Sequence, residues 1–189
     1  MTRQPGLPAY DHPSKFPSLV WHAVELTRRN DFAQACTPEV GRLLQLLAGG
    51  ATQLCELGTA YGVGAGWIAS GMAPGATLLT VEVDAGRAES ARELFAAIPA
   101  VEVATGDWSV ALERGLFDLV FSDGGPKRNP GDPEKLLPLL NPGGLVVLDD
   151  YMPGFGKDVS RDVWLESPVY RAVEIALTPA ASVILATRR

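Results

Sequence analysis

The 189-residue chain is 47% hydrophobic and 20% charged, the balance of one compact domain that can bury a core, with no room for a second full one. Its net charge of -6 and the lack of any Lys or Arg block argue against nucleic acid or an anionic membrane surface as partner. No apolar run approaches the ~18 residues of a membrane span, Met1 to Ser18 has no apolar stretch behind a basic start, and two cysteines make no disulfide framework, so a reducing, cytoplasmic setting is expected.

Residues 1–17 carry four prolines and read as an irregular arm, ordered only if it packs on the body; residues 18–189 form the single domain. Ser18 is expected to cap a helix to about Arg29, with Val20, Val24 and Trp21 on one face. A second helix has Thr37 as N-cap, Pro38 at its first position, the stripe Val40, Leu43, Leu44 and Leu47, and Gly49-Gly50 as its stop. From Gln53 the pattern becomes short apolar strands alternating with helices. Strands are expected over 53–57, 77–83, 101–104, 117–122, 144–149, 171–177 and 182–187, and helices near 63–72, 85–97, 108–114, 133–140 and 158–166. Leu145 to Leu148 is continuously apolar, as in a strand covered on both faces. The alternation predicts an α/β, Rossmann-like, doubly wound domain.

Glycines at 58, 62, 64 and 66 follow the first strand and open a helix, which strips side chains from a strand-to-helix turn where a ligand binds in such sheets. Glycines here can also serve only the tight turn. The dinucleotide fingerprint would need glycine at Ala60 and Val63, and no Gly-Lys-Ser/Thr follows, so neither a dinucleotide site nor a P-loop is indicated. Glu82, 24 residues after Gly58, ends the second strand, where a carboxylate can accept both hydroxyls of a ribose.

The run Glu56-Leu57-Gly58-Thr59-Ala60-Tyr61-Gly62-Val63-Gly64 resembles the first motif of class I S-adenosylmethionine-dependent methyltransferases, and Val81-Glu82-Val83-Asp84 their second. Gly106-Asp107-Trp108, Phe117 to Asp123 and Leu139 to Asp150 resemble the later motifs in order, so the likeness runs from about residue 37 to the C-terminus. It implies a seven-stranded, mostly parallel sheet with an antiparallel last strand, and S-adenosylmethionine as the methyl donor. It further implies Gly58, Thr59, Ala60, Tyr61, Gly62 and Gly64 at the methionine part, Glu56 serving its amino group, Glu82 with Val83 at the ribose, and Gly106, Asp107 and Trp108 along the adenine. Trp108 could equally be core packing.

Asp123 at the end of the fourth strand and Asp149 with Asp150 at the end of the fifth are expected to converge beside the donor, a donor set suited to Mg²⁺ or another divalent cation. This resembles the catechol and caffeoyl-coenzyme A O-methyltransferase group, and implies cation-assisted O-methylation of a hydroxylated small molecule, with Asp123 and Lys127 catalytic. Two departures stand out: Asp150 replaces that group's Asn, and Lys127 follows Asp123 by four positions, across Gly124-Gly125-Pro126, where the group has three. Lys127 as a solvated loop charge, and the aspartates as donor contacts and caps without metal, are the plain alternatives. Tyr151 through Gly156, with Met152, Pro153 and Phe155, follows the aspartates and could wall an acceptor pocket, and Trp21, His22 or Trp164 could face it, but plain packing is the leading reading for each of these and a solvent-facing or hydrogen-bonded place the leading one for His22. A metal-independent methyltransferase for another acceptor, and a noncatalytic donor-binding domain, stay open, as does a homodimer.

Overall fold

The computed structural model describes residues 6–154 and 158–189. Helices α1 (Ser18–Arg29) and α2 (Pro38–Ala48) precede the alternation β1 (Gln53–Leu57), α3 (Val63–Gly71), β2 (Thr77–Glu82), α4 (Ala85–Phe95), β3 (Val101–Thr105). A 3₁₀ segment (Trp108–Glu113) leads to β4 (Phe117–Ser122), then α5 (Asp132–Leu136), β5 (Leu140–Tyr151), α6 (Val159–Leu165), β6 (Tyr170–Thr178) and β7 (Ala181–Arg188). The seven strands lie in the order β3-β2-β1-β4-β5-β7-β6, and β7 runs antiparallel to both its neighbours. This is the sheet the sequence led us to expect.

Strands covered on both faces explain the continuously apolar runs. Leu54 of β1 joins a core beneath α1 to α4, while Cys55 and Leu57 join a second core under the 3₁₀ segment, α5 and α6. Asp118 fixes the register at the opposite end of the sheet: its carboxylate accepts from the amides of Thr52 (2.9 Å) and Gln53 (3.0 Å), the Thr52 hydroxyl (2.7 Å) and Asn141 Nδ2 (2.8 Å). Four donors on one carboxylate join the start of β1 to β4 and β5.

Some boundaries differ from expectation, each for a local reason. Pro17, not Ser18, holds the N-cap position of α1, without a side-chain cap. Thr37 caps α2 as expected, its Oγ1 accepting from the Val40 amide at 3.4 Å. The segment after Asp107 is 3₁₀, because that carboxylate accepts from the Ser109 amide (2.8 Å) and hydroxyl and closes a tight first turn. The helix expected to 140 ends at Leu136 and continues as a 3₁₀ turn to Leu139. Strand β5 outruns its expected ends, because β4 and β7 supply partners from Leu140 to Tyr151. The described part of the arm packs on the body: Tyr10 is fully buried, donating to the Cys36 carbonyl (3.0 Å) and accepting from Trp67 Nε1 (2.8 Å). No helix among the described residues is long and apolar enough to cross a membrane.

Candidate active site

A cavity of about 730 Å³ opens at the carboxyl ends of β1, β2 and β4, where a doubly wound sheet binds its ligands. Every residue from Glu56 to Tyr61, with Gly64, Glu82, Val83, Gly106, Asp107, Trp108 and Asp123, lines it. Gly62 does not; its φ of +89° starts α3, and a Cβ there would press on the Phe95 ring at 2.9 Å. The glycines thus serve two purposes. A Cβ on Gly58 (φ +105°) would meet the Gly124 amide nitrogen at 2.5 Å, and one on Gly64 would meet the Glu56 carboxylate at 2.2 Å. Bare backbone at 58 lets the β1 and β4 loops touch; at 64 it leaves room for a buried acid.

Glu82 organises one end of the cavity. One carboxylate oxygen accepts from the Ala60 amide (2.8 Å), the other from the Asp84 amide (2.9 Å) and from Arg87 through Nε (3.1 Å) and Nη2 (2.7 Å). Arg87 lies 5.4 Å over the Phe32 ring, which meets Tyr61 edge-on at 5.5 Å. Arg87 and Phe32 line the cavity and were not foreseen; an arginine five positions after the acid was the available signal for the first. Glu56 is 1% exposed, and the Thr80 hydroxyl donates to it at 2.5 Å. Burial pushes its carboxyl pKa well up against that hydrogen bond, with the nearby Asp123 and Glu82 charges adding to the rise. A cationic ligand group beside Glu56 would relieve this.

The three aspartates converge as expected: oxygens of Asp123, Asp149 and Asp150 all lie within 4.8 Å of one another. Consecutive residues of a regular strand point to opposite faces. A bulge resolves the conflict, since Leu148 pairs with Ile184 and Tyr151 with Ser182, leaving Asp149 and Asp150 opposite Val183 alone. Asp150 takes φ +74° there, and Asp149 Oδ1 accepts from the Asp150 amide at 2.7 Å. Burial, then the Asp123 and Asp150 charges, raise the Asp149 pKa to about 7.

Lys127 is no solvated loop charge. It is 7% exposed, and Nζ stands 2.7 Å from Asp150 Oδ2 and 3.3 Å from Asp123 Oδ1. Gly124 and Gly125 let its loop pack directly on β1; a Cβ on Gly125 would meet Leu57 Cβ at 2.9 Å. The Lys127 carbonyl accepts from Tyr151 Oη and from Trp164 Nε1, both at 2.8 Å. Burial alone would lower the lysine pKa; Asp123 and Asp150 outweigh it and hold the pKa above the usual value.

On the acceptor side Trp21, His22 and Trp164 take their plain packing or solvent-facing reading, and the loop after Asp150 is corrected as a wall. Trp164 is fully buried behind the Lys127 loop, Trp21 stacks on Phe16, and His22 is exposed; none lines the cavity. Tyr151 is buried as a strap for Lys127, and Met152 and Pro153 are not among the lining residues, while Phe155 and Gly156 lie outside the described residues. The cavity is lined also by the connection after α1 (Phe32, Gln34, Ala35, Cys36) and by Arg128 and Asn129. Those positions carry no motif and no periodicity.

A glycine-lined turn facing an acid at the next strand end, on this sheet order, defines a Rossmann-like domain built to hold an adenosyl group. A methyltransferase-domain family matches residues 55–151. The chain is 30% identical over 167 residues to a protein of Mycobacterium sp. (strain JLS), covering 75% of this chain and 74% of that one. It is 31% identical over 167 residues to one of Mycolicibacterium paratuberculosis, covering 75% and 73%; both relatives bear the name "Putative O-methyltransferase". The fold is shared with the Bacillus cereus O-methyltransferase in complex with SAH (TM-score 0.73, 22% identity, 97% of this chain and 96% of that one). It is shared also with the O-methyltransferase TomG from Streptomyces achromogenes (TM-score 0.72, 23% identity, 100% and 99%). The chain belongs to the class I S-adenosylmethionine-dependent methyltransferases.

Proposed function

We propose that the protein transfers a methyl group from S-adenosylmethionine to a hydroxyl oxygen of a small molecule. The observation that carries this reading is a single cavity lined by both the glycine-and-Glu82 cradle and the Asp123–Lys127 ion pair. The relatives' names point to the same acceptor atom. Glu82 receives the ribose hydroxyls, Glu56 offsets the donor's ammonium, and Gly106, Asp107 and Trp108 follow the adenine. Transfer is then a displacement in line: an oxygen lone pair forms the bond to the methyl carbon, and the carbon–sulfur pair returns to sulfur. The sulfonium becomes a neutral thioether.

Asp123, with a side chain 31% exposed into the cavity wall, is the carboxylate placed to accept the hydroxyl proton. Lys127 keeps its own proton and steadies the oxygen as negative charge moves onto it, a cation rather than a base. The divalent ion implied by the resemblance meets an obstacle: Mg²⁺ needs carboxylate oxygens at about 2.0–2.1 Å and retains several waters. Lys127 Nζ already stands among those oxygens, so the residues do not fit such an ion with Lys127 in place, and no step is assigned to one. The buried free thiols of Cys36 and Cys55 suit a reducing, cytoplasmic setting.

Turnover of methyl-labelled donor over a panel of catechols, phenols and amines tests the reading. Label on hydroxyl compounds is the expected result; label only on amines, or none with donor demonstrably bound, would overturn it.

A further inference from the structure

We propose that the Lys127 ammonium is the built-in cation of this site, occupying the place a divalent ion would take among Asp123, Asp149 and Asp150, so that methyl transfer proceeds without added metal. The inference rests on the methyltransferase reading above and deepens it.

Asp123, Asp149 and Asp150 concentrate negative charge at one largely enclosed place, which a positive group beside them offsets. Lys127 Nζ supplies it, at 2.7 Å from Asp150 and 3.3 Å from Asp123. An ammonium carries three donors, and these contacts use two of them while Lys127 still lines the cavity. The side chain does not reach in from a mobile loop. Its own carbonyl is held from two sides by Tyr151 and Trp164, and the Ser122 hydroxyl donates to the neighbouring Pro126 carbonyl at 3.2 Å. Arg128 Nη2 also donates to the Asp150 carbonyl at 2.6 Å, bringing a second positive group to the bulge.

The two sequence departures become one arrangement. Asp150, where a neutral side chain was the family expectation, adds the negative charge that the lysine neutralises. The third residue between Asp123 and Lys127, one more than the family spacing allows and made possible by the Gly124-Gly125 approach to Leu57, lets the chain turn back and point the ammonium inward. Chemically the ammonium does what a bound cation would do at the acceptor: it favours the oxyanion. No proton, electron or co-reactant beyond those of the transfer itself is required.

The test is titration of the whole protein with Mn²⁺, followed by electron paramagnetic resonance and by thermal shift, in wild type, Lys127→Met and Lys127→Arg. Wild type and Lys127→Arg should show no saturable Mn²⁺ site, and wild-type turnover should be the same in EDTA as in Mg²⁺. Lys127→Met, which vacates the centre and leaves the carboxylates, should gain Mn²⁺ affinity by about tenfold or more. A stoichiometric Mn²⁺ site in wild type that disappears in Asp149→Asn would overturn the proposal, and so would a folded Lys127→Met protein with no gain. Should Lys127→Met fail to fold, the wild-type and Lys127→Arg titrations decide. A parallel titration of wild type with S-adenosylhomocysteine separates the two readings: donor-product binding together with a wild-type Mn²⁺ site sinks the lysine proposal alone, whereas no binding sinks the methyltransferase reading.

Discussion

Glu56 shows how the fold keeps a single side chain under tension for a ligand. Its neighbours reserve space and hydrogen bonds for it: Gly64 has no Cβ to collide with it, and Thr80, itself 2.5 Å from the Thr59 hydroxyl, donates to it. Nevertheless, burial dominates, and the folded-state pKa lies well above the ordinary glutamate value. The folded state therefore binds a proton that the unfolded chain releases. Stability of the donor-free protein should fall as pH rises from about 4.3 toward that raised pKa, and level off above it. Glu56→Gln should flatten this part of the stability–pH curve, measured by denaturant unfolding across the range. Unchanged slopes in the two proteins would show that Glu56 does not titrate as described. The same variant should bind donor less well, because the ammonium it meets would face a neutral amide.

At the scale of elements, the site depends on how the strand ends are held in register. Asp118 does this from the far end of the sheet, and its four donors act in the opposite electrostatic sense to Glu56's burial. The Gln53 amide, then the Thr52 hydroxyl and amide, lower its pKa to about 2. The stabilisation is therefore complete above the ordinary aspartate value near 3.9 and is lost as pH falls through 2. Asp118→Ala should cost about 1.5–3 kcal/mol at neutral pH, the scale of hydrogen bonds to a charged group. The loss should shrink in acid. A variant as stable as wild type in urea titration at pH 7 would contradict this role.

The bulge in β5 is the second such device. Read along the sequence, Asp149-Asp150 at a strand end suggested convergence with Asp123, and the convergence is there. What the letters did not convey is that a regular strand would have separated the pair. One extra residue opposite Val183, between the Leu148–Ile184 and Tyr151–Ser182 pairs, brings them together. Turn and bulge geometry depend on pairing partners far along the chain, here 30 or more residues away in β7, and no local spacing reveals them.

Across the whole molecule, the strand positions and the glycine-and-acid cradle were legible because both follow from local rules: apolar runs make covered strands, and glycines followed by an acid at the next strand end make a cradle; the seven-stranded sheet with its antiparallel last strand came from the family resemblance, and the strand order only from the structure. The packing of the arm and the part of the cavity lining that comes from the connection after α1 were not legible. Tyr10 is anchored through the Cys36 carbonyl and the Trp67 indole, contacts spanning 26 and 57 residues, and Phe32, Gln34 and Ala35 reach the cavity from a connection without motif. Trp164 was readable as an aromatic near the site, but its task, holding the Lys127 carbonyl from behind, emerges only from three-dimensional placement.

The central claim is that the glycine turn and Glu82 together hold an adenosyl sulfonium. A ligand bound only by the native state stabilises it by mass action, about 2.7 kcal/mol at one hundred times Kd. Isothermal titration calorimetry with S-adenosylhomocysteine, on wild type and on Glu82→Ala, measures this most directly. Saturable one-to-one binding in wild type and its loss in a folded Glu82→Ala protein is the expected result; a flat titration in wild type, or equal affinity in the two, would contradict it.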